Sequence, residues 1–126
     1  MILTKNFTKS EFECKDGSLM PVDVLENIDT LARQLQRVRD ITERPIRITN
    51  AYRSPEHNKK VGGVKNSQHL YGTAADIQIR NMTPKQVYNL LNKLMDEGII
   101  LQGGLGLYRS FVHYDFRGER VRWNFI

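Results

Sequence analysis

The sequence predicts an α+β domain in which helices pack on a mainly antiparallel sheet. Three observations lead there. Two segments repeat apolar residues at three- and four-residue spacing, as amphipathic helices do. Several shorter runs alternate apolar with polar residues, or collect β-branched and aromatic ones, as strands do. The order along the chain is helix, strand, long loop, strand, helix and then strands, without repeats or an obvious linker, so strands and helices do not alternate regularly. The 126 residues are the length of a single domain, 1–126. With 40% hydrophobic and 26% charged residues, the composition argues against disorder and supplies a core that needs no disulfide staples.

The elements follow in order. Thr8-Lys9-Ser10-Glu11 reads as a capping box opening a short helical turn, with Phe7 and Phe12 as anchors. Asp16-Gly17 marks a turn. From Pro21 to about Ile41, one helix face carries Val24, Leu25, Ile28, Leu31, Ala32, Leu35 and Val38, and the solvated face carries Arg33, Arg37 and Asp40. Pro45 ends that segment. Ile46, Ile48 and Asn50 then alternate with Arg47 and Thr49 as a strand. The stretch YRSPEHNKKVGGVKNSQHLYGT is long, polar and glycine-rich, and loops longer than about 12–15 residues in a compact domain are commonly functional. AADIQI, from Ala74 to Ile79, is a second strand. Thr83-Pro84-Lys85-Gln86 caps a second helix whose buried stripe is Val87, Leu90, Leu91, Leu94 and Met95, ended by Gly98. Gly103-Gly104 reads as a turn. The remaining strands are expected around Leu105 and Leu107, across Phe111 to Phe116, and in the tail VRWNF.

The charge balance narrows the partners. The net charge is +5, but Lys59, Lys60, Arg109, Arg117, Arg120 and Arg122 are scattered and no nucleic-acid motif stands out. No nucleic-acid partner is expected. No segment approaches the roughly 20 apolar residues of a membrane span, so no membrane partner is expected either. Cys14 is the single cysteine. That precludes an intramolecular disulfide and a cysteine-based structural zinc site, and fits a reducing compartment. The start, MILTKNFTKSEF, lacks the apolar stretch of a signal peptide. Synthesis in the cytoplasm is the expectation, as is a monomer.

Three histidines are present; His69 lies in the loop just before a strand and His113 within one, each with an acid nearby. His69 precedes Asp76 by seven residues, with Gly72, Ala74 and Ala75 between them. A turn histidine and a capping aspartate would give the same spacing. Yet Asp76 lies between Ala75 and Ile77 in an apolar strand, and a buried carboxylate needs a cation, a metal or several donors. In FVHYDF, alternation puts His113 and Asp115 on one face and Val112 and Tyr114 on the other. Two histidines, one aspartate and an open position are a donor set that catalytic zinc uses. His69, Asp76 and His113 offer that set. His57, among charged residues in SPEHNKK, is the competitor and reads as an exposed residue or a loop anchor.

The stretch SQHLYGTAAD resembles the Ser-x-His-x-x-Gly-x-Ala-x-Asp signature of zinc D-alanyl-D-alanine carboxypeptidases and dipeptidases. AYRS, Ala51 to Ser54, resembles the arginine-bearing segment that precedes it. GGLGLYRSFVHYDFRG resembles the His-x-Asp stretch of the carboxypeptidase branch. The three segments occur in the family's order between Ile46 and Gly118. The resemblance implies the fold of the hedgehog and D-Ala-D-Ala peptidases, one zinc ion on His69, Asp76 and His113, and a peptidoglycan peptide as substrate. It implies that Arg53 faces the substrate carboxylate or the developing oxyanion, and that Ser67 and Gln68 orient the loop or touch substrate. A surface ion pair of Arg53 with Glu56 is the other reading. The dipeptidase branch has a glutamate three residues before its last zinc histidine; here that position is Ser110. Asp115 then remains either as the general base or as the partner that fixes His113. Tyr108 and Trp123 either line the cleft or pack in the core. The functions implied are a D-Ala-D-Ala carboxypeptidase, a phage lysin-type endopeptidase, or a non-catalytic wall-binding module of the same fold, reaching the wall only if released or exported.

Overall fold

A computed structural model describes all residues, 1–126. Its elements are β1 (Ile2–Thr4), β2 (Phe7–Thr8), α1 (Val22–Thr42), β3 (Ile46–Asn50), α2 (Pro55–Lys60), β4 (Ala74–Ile79), α3 (Pro84–Asp96), β5 (Gly104–Leu107), β6 (Val112–Asp115) and β7 (Val121–Asn124), with 3₁₀ turns at Lys9–Phe12 and Gln68–Tyr71. The five-stranded sheet has the order β3-β4-β6-β5-β7. All its pairings are antiparallel except β5 with β7, which is parallel. The α+β expectation is met. No helix is long and apolar enough to cross a membrane.

Alternation divides the sheet into two faces. Ala75, Ile77 and Ile79 of β4, Leu105 and Leu107 of β5, and Val112 and Tyr114 of β6 enter one hydrophobic core with Ile28, Leu31 and Leu35 of α1 and Val87, Leu91 and Met95 of α3. Burying each large aliphatic side chain is worth about 1.5–3 kcal/mol, so this face holds the sheet to its helices. Both helices begin as their sequences require. Thr83 accepts the Gln86 N–H, and the Gln86 side chain accepts the Thr83 N–H, completing the capping box before α3. α1 starts directly after Pro21, with Asp23 in its positive first turn.

The opposite face carries Asp76, His113, Asp115, Gly104 and Gly106. Here the fold departs from the sequence reading at three places. The hairpin β1–β2 is made of strands too short for alternation to reveal. The long polar loop contains α2 and the Gln68–Tyr71 turn, each capped by a serine: Ser54 accepts the His57 N–H and Ser67 accepts the His69 N–H. Gly103-Gly104 is not a turn. Gly104 opens β5 and pairs with Val121, and the absent side chains let β5 approach Asp115.

A Cβ at Gly103 would run into the Asp115 carbonyl oxygen and stand 2.8 Å from the Arg117 nitrogen. Both are backbone atoms that cannot rotate away. Gly103→Ala is therefore expected to destabilise the domain by about 1–3 kcal/mol, read as a lower urea midpoint at constant m-value. An unchanged midpoint would show that this approach is not a constraint.

Candidate metal centre

The sheet register builds the centre. Asp76 of β4 stands directly opposite His113 of β6. His69 arrives from the 3₁₀ turn just before β4. That turn ends at Gly72, which has the left-handed φ of +75° and lies against α1, where a Cβ would meet the Val24 carbonyl oxygen at 2.8 Å. His69, Asp76 and His113 are all buried and form one group of metal-ligating atoms within 4.8 Å of one another. Both imidazoles approach the same oxygen: His69 Nε2 and His113 Nδ1 each lie 3.3 Å from Asp76 Oδ1.

The outer nitrogens decide what the inner ones offer. His69 Nδ1 is 2.7 Å from the Ala51 carbonyl oxygen. A carbonyl only accepts, so Nδ1 carries the proton and Nε2 presents its lone pair inward. His113 Nε2 is 2.6 Å from Asp115 Oδ2, which by the same logic leaves Nδ1 as the inward lone pair. Asp76 Oδ1 is buried with no hydrogen-bond partner. Three electron-pair donors thus converge on one point, an arrangement that repels itself unless a cation stands among them. The donor set of two imidazoles and a carboxylate fits zinc and related divalent metals.

Burial pushes the His113 imidazole down, but its bond to Asp115 and the nearby Asp76 carboxylate outweigh this and its pKa ends raised. Burial pushes the Asp76 carboxyl up, but His113 and His69 outweigh it and hold it well below the usual range. Asp115 shows the same balance, with His113 and Arg117 overcoming burial.

Asp115 is fully buried and its oxygens are engaged. Oδ1 accepts the Gly104 N–H at 2.8 Å, the Arg117 N–H at 3.1 Å and Arg117 Nε at 2.9 Å. Oδ2 accepts Arg117 Nη2 at 2.8 Å besides the His113 bond. Neither oxygen lines the cleft. Of the two readings open for Asp115, this geometry supports the partner that orients His113 and opposes a base in contact with substrate water.

The centre opens into a cleft of about 550 Å³. Arg53 lines it, half-buried, with Nη1 donating to Asn58 Oδ1 at 3.2 Å. It pairs with this neutral amide and not with Glu56. Ser67 and Gln68 also line the cleft. Ser67 accepts the His69 N–H at 3.2 Å, and Gln68 Oε1 accepts the Thr73 hydroxyl at 2.7 Å, so both stiffen the turn that presents His69. Tyr108 and Trp123 form the aromatic wall, joined by Trp123 Nε1 donating to the Tyr108 hydroxyl at 3.0 Å. Trp123 packs on the His113 ring at 5.0 Å between centroids. Ser110, exposed, donates nothing to the cleft; its carbonyl accepts from Gln78. His57 is apart from the trio. A groove of about 450 Å³ beside Ile46, Arg47 and Met82 carries no histidine, carboxylate or thiol.

Sequence reasoning missed Arg117, which grips Asp115 and stacks over Trp123 at 5.7 Å. Its place two residues beyond Asp115, on the same strand parity, was the available signal. It also missed Gly104 and Gly106, where a Cβ would collide with Asp115 and Trp123 respectively.

Comparison with known proteins places the chain in a family. Residues 5–115 match the family model described as Peptidase M15. No curated protein matches the sequence.

Replacing His69 or His113 by alanine should abolish stoichiometric metal binding at this centre, measured by equilibrium dialysis with zinc. Asp115→Asn should weaken it by about 10–100-fold. In the metal-free protein, the two carboxylates with lowered pKa stabilise the fold above the ordinary carboxylate range near pH 4 and lose that contribution as pH falls through their folded values. His113, raised, acts oppositely: its contribution is complete below about pH 6.5 and is lost as pH rises through its folded value. Urea titrations across pH should therefore show an acid limb that flattens in Asp115→Asn.

Proposed function

Because the chain belongs to the Peptidase M15 family, we propose that it is a zinc-dependent peptidase that hydrolyses peptide bonds in peptidoglycan stem peptides, of the D-Ala-D-Ala carboxypeptidase type. The observation that carries this reading is the convergence of His69 Nε2, Asp76 Oδ1 and His113 Nδ1 on one point beside an open cleft. These atoms would hold one zinc ion, which when bound polarises a carbonyl and lowers the pKa of its bound water.

The protein's own groups do the remaining work. Ala51 and Asp115 fix the two imidazole tautomers, so the inward nitrogens stay unprotonated. Asp115, itself clamped by Arg117 and Gly104, accepts the His113 Nε2 proton and supports positive charge on that ring. Arg53 lies on the cleft wall with only a neutral partner, so its guanidinium is available to an anion. A substrate's terminal carboxylate takes two parallel charge-assisted bonds from such a group, which favours a carboxypeptidase over an endopeptidase. The aromatic wall of Tyr108 and Trp123 excludes water from one side. A monomer suffices for this site, and the enzyme would meet the wall after release or export.

Digestion of purified peptidoglycan by the zinc-loaded protein, with products identified by mass spectrometry, tests the reading. Release of single terminal D-alanine supports the carboxypeptidase. Fragments cut within the stem or cross-bridge would replace it with the lysin-type endopeptidase. Binding without products would leave a wall-binding module. Chelation should abolish hydrolysis and zinc should restore it. Arg53→Ala should lower kcat/KM about 10–100-fold on peptides with a free carboxyl end, and have little effect on the same peptides amidated there.

A further inference from the structure

We propose that Cys14, Asp16 and His57 form a second metal site, for one zinc ion, that ties the amino-terminal segment to the rim of the cleft. The single cysteine argues against a cysteine-based zinc site because one thiol cannot build a centre of several cysteines, but it leaves room for a mixed set of ligands. Zinc also accepts mixed sets of thiolate sulfur, imidazole nitrogen and carboxylate oxygen, and the fold assembles such a set from two stretches distant in sequence. Each of the three residues offers a ligand atom within 4.8 Å of the other two. In a tetrahedral site with bonds of about 2.0–2.3 Å, ligand atoms stand about 3.5 Å apart. Side-chain adjustment of about an ångström closes the set.

Ser54 organises all three. Its N–H donates to Cys14 Sγ at 3.3 Å, its hydroxyl donates to Asp16 Oδ2 at 2.7 Å, and its Oγ accepts the His57 N–H at 3.1 Å. The N–H aimed at sulfur holds the Cys14 side chain in place beside Asp16. Cys14 and Asp16 share one turn, closed by the Gly17 N–H on the Cys14 carbonyl at 3.0 Å, and Asp16 Oδ1 is oriented by the Ser18 N–H at 2.8 Å. His57 spends its backbone N–H, not its ring, in this network.

Access suits an ion and not a substrate. Cys14 is 5% exposed, whereas Asp16 is exposed and His57 half-buried. A peptide carbonyl cannot reach the thiol, but an ion can enter from the Asp16 side. The position also gives the site a purpose. α2, which carries His57, also carries Asn58, whose Oδ1 accepts from Arg53 Nη1 at 3.2 Å. A metal here would pin the backbone on which Arg53 rests. No residue is shared with the His69, Asp76 and His113 centre.

The test is metal titration of the full chain, stripped by chelator and kept reduced with a non-thiol reductant. Zinc should bind two per chain in the wild type, and one in Cys14→Ser and in His69→Ala. Cobalt(II) should give a near-ultraviolet thiolate-to-cobalt charge-transfer band in the wild type and in His69→Ala. That band should be lost in Cys14→Ser and weakened in His57→Gln, which leaves the buried thiol and its packing in place. The other centre has no sulfur and cannot produce the band. A wild type that takes one zinc and shows no sulfur band overturns the site, as does Cys14→Ser still binding two. Neither result touches the peptidase reading, which stands or falls on His69 and on product release.

Discussion

The Asp76 carboxylate faces two imidazole nitrogens and no proton donor, in a buried position where that arrangement is unfavourable without a positive charge. Much of the sheet's far face answers this constraint. Asp76 and His113 are held opposite each other by backbone pairing, so their approach does not depend on flexible side-chain choices. A one-residue slip of β4 against β6 would send Asp76 or His113 into the apolar core, where Ile77, Val112 and Tyr114 now fill the space. The hydrophobic core thus fixes the register, and the register fixes the centre.

Around that centre, the polar partners form a chain of decreasing burial. Asp115, wholly buried, sets the His113 tautomer. Arg117, partly exposed, clamps Asp115 with two nitrogens and lies over Trp123. Trp123 returns to the His113 ring. Each member is held by two others, so the ring orientation that the metal requires is over-determined before any metal arrives. Three glycines make this possible. Gly103 and Gly104 let backbone approach Asp115, and Gly106 leaves room for the indole. Those positions are small because something else must occupy the space.

The regular parts of the fold were legible in the sequence because their signals are local. The face of α1 from Val24 to Val38, the capping box at Thr83, and the alternation of Ile46–Asn50 and Ala74–Ile79 depend only on the period of helix or strand. The short hairpin β1–β2 and the short helix α2 fall below the length at which a period can be recognised. Gly103-Gly104 was misread because a glycine pair that permits close packing looks, in one dimension, like a pair that permits a turn.

By itself the sequence determined the fold class, the donor types and their placement: a histidine and an aspartate on either side of a tight glycine turn, and a His-x-Asp pair on one face of a later strand. Spacing and parity suffice for that. Only the tertiary structure decided which nitrogen of each histidine points inward, that Asp115 turns its oxygens to Arg117 and Gly104 and away from the cleft, that Arg53 has a neutral neighbour, and that Cys14 and Asp16 meet His57. Those outcomes depend on atoms brought together by core packing and strand register across long stretches of chain. Local periodicity carries no information about contacts of that kind.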